Sequence, residues 1–364
     1  MRRSLLALPL LGLVASALLG CAHAVPPVPA LPWTEAPHGD DRPPTEVAGE
    51  LRDSVTRIVE GGGNLGRLDA VKARTGALGL AKHAHDEWID WFSFQRNVVV
   101  EIPGESDELI IVVAHYDKTD INPLVVPSLL VNGALDELVS WSFLSEGAVD
   151  NATGVAVALS LARAVAERPL RRTLRVVLVG AEESGLRGSR AHAARLSDDE
   201  WDRLAFVVNL DGVAIEGREN CVTENVSAPY LSLRARRAAA RIGLPLGRGE
   251  MPIVGMSDYA SFAETGFFVD VGRSFLFNVT GALLPQRSYF AMPHRASVLS
   301  YMACDPIDLG DVASSLVLLP LGSFHGPRDH RGRVDPRKLY EMYAVLLALL
   351  REMDGEGLEG APSP

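Results

Sequence analysis

Glu108 to Ala114 reads ELIIVVA, and His115, Tyr116 and Asp117 follow it directly. A run that is apolar on both faces is what a strand buried inside a sheet looks like. Upstream, Asn97 to Ile102 (NVVVEI) predicts a neighbouring strand. Downstream, Asn151 to Ala166 (NATGVAVALSLARAVA) predicts a helix, with Asp150 or Asn151 placed to cap it and Pro169 as a stop signal. Thr173 to Gly180 (TLRVVLVG) and Leu204 to Leu210 (LAFVVNL) read as two more strands, separated by a short helix over Ser189 to Leu196. A long helix over Pro336 to Met353 closes the pattern. Strands alternating with helices imply parallel pairing through crossovers. The expected fold class is therefore α/β, a single domain with a central mixed, largely parallel sheet flanked by helices.

Composition agrees with such a core. Of 364 residues, 47% are hydrophobic and 22% charged, and the formal net charge is −11. The acidic balance argues against a nucleic-acid partner.

The two ends differ from the middle. Arg2 and Arg3 precede an apolar run from Leu5 to Leu19, then Gly20 and Cys21. The run is short for a membrane span and has the layout of an export signal. It resembles a bacterial lipoprotein signal over residues 1–20, which implies that Cys21 becomes the lipidated N-terminus and that the protein is exported to the cell envelope and lipid-anchored to a membrane. An ordinary cleaved signal with a chance cysteine is the alternative. Residues 21–46 are rich in proline and lack apolar periodicity, as in an extended tether. The domain is expected over residues 47–353, and residues 354–364 as a disordered tail. Cys221 and Cys304 could pair or stay free; neither sits in a Cys-x-x-Cys pattern, which argues against thiolate zinc ligands.

In open α/β sheets ligands bind at the carboxyl ends of the strands, so the residues after each strand matter most. His115 and Asp117 follow one strand, Glu182 and Glu183 another, and Asp211 a third, while Asp150 starts the helix between the first two. Alone, each has an ordinary explanation: a structural histidine, a solvated helix start, an N-cap. Together they place one imidazole and several carboxylates on one edge of the sheet, where they would repel one another unless cations sat among them. Zinc suits mixed nitrogen and oxygen ligands.

At these residues the sequence resembles the co-catalytic di-zinc aminopeptidases, of the secreted bacterial leucyl aminopeptidase type. The likeness runs through Val113–Asp117 (VAHYD), Gly147–Gly154 (GAVDNATG), Gly180–Ser189 (GAEESGLRGS), Val208–Asp211 (VNLD), Ser257–Tyr259 (SDY) and Phe324–Asp329 (FHGPRD). It implies a zinc-exopeptidase-like fold and a zinc metallopeptidase that removes N-terminal residues from peptide substrates. It also implies two zinc ions, with Asp150 bridging both, His115 and Asp211 completing one site, and Glu183 and His325 the other. Glu182 would be the general base acting on a water shared by the metals. Asp117 is suited to accept the second ring N–H of His115. Among His294, His325 and His330, the closing motif favours His325.

Two insertions depart from the family pattern, near residues 119–146 and 273–319, and position 324 is Phe where family members often carry a tyrosine. Two other readings share the fold: a glutaminyl cyclase-like enzyme working with one zinc, and a non-catalytic surface receptor.

Overall fold

The computed structural model describes residues 24–32, 40–90, 93–119, 145–251, 257–263, 296–304, 324–326 and 328–355. Cys21, His294, most of both insertions and nearly all of the C-terminal tail lie outside the described residues.

Two helices come first, α1 (Pro44–Glu60) and α2 (Asn64–Ala77). They lead into β1 (Ala84–Trp88), β2 (Arg96–Ile102) and β3 (Leu109–His115). After α3 (Thr153–Glu167) come β4 (Thr173–Val179), α4 (Arg187–Ala193), α5 (Asp198–Arg203) and β5 (Leu204–Leu210). The remaining elements are β6 (Asn220–Thr223), α6 (Pro229–Arg241), β7 (Gly247–Gly249), β8 (Val298–Ala303) and α7 (Pro336–Gly355).

The described strands form one sheet in the order β1-β2-β4-β3-β5-β8-β6-β7. Its centre, β4-β3-β5-β8, is parallel, and β1, β2 and β6 pair antiparallel around it. The expected mixed, largely parallel sheet is what forms. All of β3 is buried, and its side chains alternate between the two faces as a strand requires. Ile110, Val112 and Ala114 join the core beneath α1, α3, α6 and α7, while Leu109, Ile111 and Val113 join a second cluster with Trp201, Tyr259 and Phe262. The stretch Ala148–Glu167 is long and apolar enough to cross a membrane, yet it is almost entirely buried inside the domain. It is a core helix, apolar on all sides because protein surrounds it.

One expectation needs correction. The segment before residue 47 is not a free tether throughout: α1 begins at Pro44, with proline at a position where its missing N–H costs nothing. Val25 is buried, and Arg52 of α1 donates to the carbonyls of Val25 and Pro26. Further on, Asp40 pairs with Arg42 and accepts a hydrogen bond from the Tyr343 hydroxyl of α7. Proline leaves carbonyl acceptors without competing donors, which suits it to this docking as well as to a linker. The start of α3 decides between its two candidate caps. Asp150 does not cap it; Asn151 does, its Oδ1 accepting from Gly154 N at 3.0 Å. Asp150 is thereby left for the site.

The open question about the cysteines is resolved. Cys221 on β6 and Cys304 just after β8 form a disulfide, with Cα atoms 5.1 Å apart.

Candidate metal centre

Strand register carries the site residues to one place. His115 is the last residue of β3, opposite Val179 of β4, and Asp211 directly follows β5 on the other side. All three strands are parallel, so their carboxyl ends open on the same edge. The turn after β4 brings in Glu182 and Glu183. Ala181 there has φ 55°, a left-handed value costly for a residue with a Cβ. The turn is held by Gln95 Oε1, which accepts from Ala181 N at 3.0 Å, and by the Arg187–Asp90 ion pair. Gly180 permits the close approach: a Cβ there would lie 2.5 Å from the Tyr116 hydroxyl oxygen and 2.6 Å from Gln95 Oε1.

The central feature is Asp150. Its Oδ1 lies 3.1 Å from His115 Nε2, and its Oδ2 lies 3.0 Å from His325 Nε2. His115 Nε2 is also 3.4 Å from Asp211 Oδ1, and His325 Nε2 is 3.0 Å from Glu183 Oε2. One carboxylate therefore belongs to two trios, His115-Asp150-Asp211 and Asp150-Glu183-His325, each with its donor atoms within 4.8 Å of one another. His115, Glu182 and Glu183 form a third such group. The residues fit a metal by their chemistry: imidazole and carboxylate donors converge, and Glu183 Oε1 is buried without a hydrogen-bond partner among the described residues.

Electrostatics points the same way. Burial disfavours the imidazolium, but Glu182 and then Asp117, Asp150 and Asp211 outweigh it and lift His115 well above its usual range. His325 is raised likewise, against its burial, by Glu183 and Asp150. Burial, reinforced by Asp150, pushes Glu183 up to about 7, and Glu182 rises well above the ordinary carboxyl range, mainly through burial. Cations placed among these groups would relieve the repulsion.

The remaining predicted residues divide. Asp117 is fully buried, but its carboxylate lies 3.6 Å from His115 Nδ1, beyond hydrogen-bond range. The backbone carbonyl of Asp117 takes that contact, at 3.2 Å. Its carboxylate instead accepts from Glu182 N and Glu183 N at 3.1 and 3.2 Å, fixing the turn that carries both glutamates. His330 stands apart from the cluster, its Nδ1 accepting from Gly332 N. Phe324 packs against Gly212, where a Cβ would meet its ring at 2.7 Å.

Two acids escaped the list of predicted ligands although their motifs were noticed. Asp329 accepts from Ser145 Oγ at 2.6 Å, Val149 N at 2.8 Å and Asp150 N at 3.3 Å, and so shapes the loop that presents Asp150. Asp258 is fully buried, and neither of its oxygens meets a donor in hydrogen-bond geometry among the described residues. Burial first, then Asp211 and Asp117, push it up to about 7, against the pull of His115 and the Ser189 hydroxyl.

Residues 97–275 match the sequence pattern described as Peptidase family M28. That stretch, just under half of the chain, is similar to the family. The matched stretch contains His115, Asp150, Glu182, Glu183 and Asp211, while His325 lies beyond it. Among similar proteins, the aminopeptidase YwaD of Bacillus subtilis is 29% identical over 175 residues, 44% of this chain and 30% of that protein. A probable zinc metalloprotease of Pyrenophora tritici-repentis is 27% identical over 179 residues, 42% of this chain and 36% of that one. The matches thus span about a third of the length of these curated relatives. The crystal structure of an Acidobacteriales bacterium glutaminyl cyclase has a similar fold, with a TM-score of 0.61 at 14% identity over 91% of this chain and 100% of that one.

Proposed function

We propose that the protein is a zinc aminopeptidase that holds two metal ions, one in each trio that shares Asp150. The observation that carries this reading is that the two oxygens of Asp150 face different histidines. The likeness to an aminopeptidase and to a probable zinc metalloprotease supports the reaction class. His115 and Asp211 would complete one site, Glu183 and His325 the other.

Zinc in these positions supplies Lewis acidity toward a scissile carbonyl. The chain's own residues do the rest. Glu182, held beside both trios by Asp117, accepts a proton from the attacking water and returns it to the leaving amine. Burial raises its proton affinity, as suits a group that takes up a proton in the reaction. The surplus of carboxylates around the trios favours a substrate carrying a free, positively charged amino terminus. Asn151 joins the two edges of the site, donating to Leu210 O at 2.8 Å and accepting from Gly212 N at 3.3 Å.

From the signal-like residues 1–20 and Cys21 we further propose that the protein is exported and anchored by lipid at that cysteine. The Cys221–Cys304 disulfide supports it, since such bonds persist mainly in oxidising compartments.

The test is hydrolysis of aminoacyl substrates and their N-blocked counterparts, with and without a zinc chelator. Cleavage of the free-amine substrates alone, abolished by chelation and restored by zinc, is expected. A single zinc equivalent per chain together with cyclisation of N-terminal glutamine would favour the glutaminyl cyclase reading.

A further inference from the structure

Arg67 sits in the first turn of α2, outside the segment that matches the family, and is completely buried. A buried guanidinium normally faces a carboxylate. This one donates to three backbone carbonyls: Nε to Tyr116 O, Nη1 to Glu146 O at 3.0 Å, and Nη2 to Gly147 O at 2.8 Å. Those carbonyls belong to two separate segments. Tyr116 lies between His115 and Asp117; Glu146 and Gly147 open the loop that ends in Asp150. The same loop is held on its N–H side by Asp329, through Val149 N and Asp150 N. Asn64, at the start of α2, adds a second tie, accepting from Lys118 N at 3.0 Å and donating to Lys118 O at 3.3 Å.

Gly147 shows how close the fit is. Its φ is +61°, and a Cβ there would lie 2.9 Å from Arg67 Nη1 and 2.7 Å from Lys118 Cβ. The guanidinium occupies the space that any other residue at 147 would fill. It also lies within electrostatic reach of Asp329, Asp117, Asp150 and Glu183, which favour its charge while burial opposes it.

We propose that Arg67 is a positioning residue for the metal centre, setting the spacing of His115 and Asp150 through their backbones and offsetting the negative charge gathered there. The inference rests on the metallopeptidase reading above. Groups that orient ligands from behind are commonly worth about 10- to 100-fold in metal affinity. Lysine would keep the charge but lose the fork that reaches three acceptors.

The experiment titrates purified full-length protein with zinc against a chromogenic chelator, alongside thermal unfolding and kcat and KM on an aminoacyl substrate. Arg67→Met is expected to bind zinc about 10- to 100-fold more weakly than wild type, with Arg67→Lys in between and kcat falling more than KM changes. Arg74→Met is the control. Arg74 is a buried arginine of the same helix that bonds Ser54 Oγ and Glu50 O instead. Its loss should lower the melting temperature and leave zinc affinity unchanged. Wild-type zinc affinity and kcat in folded Arg67→Met overturn the assignment; if that variant does not fold, the same result in Arg67→Lys does so. A zinc affinity that falls equally in the Arg74 variant also overturns it. Absence of zinc binding by the wild type sinks the metallopeptidase reading instead, and the assignment with it.

Discussion

At the scale of single residues, the site separates groups that hold from groups that react. Glu182 lies beside both trios but takes part in neither of the two that share Asp150. Glu182→Gln should therefore fold and retain zinc while kcat drops by about 10² to 10⁴, the usual cost of removing a general base. Near-normal turnover in this variant would place the base elsewhere. Asp150→Ala should lose both zinc equivalents, whereas Asp211→Ala and Glu183→Ala should each lose one; metal analysis of the purified variants distinguishes them. The sequence exposes these residues because they are ionisable side chains placed directly after apolar strands. It hides others for a physical reason. The partners of Arg67 are backbone carbonyls dozens of residues away, and no side-chain pattern records a backbone contact. Asp117 shows the converse: its spacing from His115 suggested a bond to the ring, but at 3.6 Å the carboxylate is taken by the amides of Glu182 and Glu183.

At the scale of elements, β2 through β5 and α3 were legible because most of their side chains are buried, which leaves a nearly continuous apolar signature. The antiparallel end of the sheet was not. β6 and β7 have four and three residues, too short to show a period, and their neighbour β8 joins them from far along the chain. The disulfide fastens this end, spanning 83 residues. Replacing both cysteines with alanine should lower the unfolding free energy by about 2–4 kcal/mol, with about 4–5 as the chain-entropy ceiling for a loop of that size. Equilibrium denaturation measures it; an unchanged midpoint would show that pairing of β6 with β8 suffices without the bond.

For the whole molecule, the crowded acids make stability depend on pH in an unusual direction. Glu183 and Asp258 rise in the fold from ordinary values of 4.5 and 3.8 to about 7. Between about pH 4 and 7 the folded chain then holds protons that the unfolded chain has released, so metal-free protein should lose stability as pH rises through that window. The raised histidines add to the trend, since their contribution is present below about 6.5 and is lost as pH rises through their folded values. Zinc should reverse it, adding about 2.7 kcal/mol per site at 100 times the dissociation constant. Melting temperatures across pH 5–8, with zinc and with chelator, provide the check; a metal-free protein that grows more stable toward pH 8 would contradict the burial of these acids.

The proposed anchor gives a further expectation: Cys21→Ser should move the protein from the membrane fraction to the soluble one without changing its specific activity, and a wild type already soluble in its native host would count against lipidation. The docking of Val25 beneath Arg52 alters what that anchor would mean. A tether of 26 residues could let a domain roam roughly 90 Å from a bilayer, at about 3.5 Å per extended residue. With Val25 seated in the body of the protein, only the four steps from Cys21 remain, about 14 Å of reach. The catalyst would ride low on the lipid surface, with little standoff, meeting peptides that diffuse along the membrane more readily than those deep in the surrounding fluid.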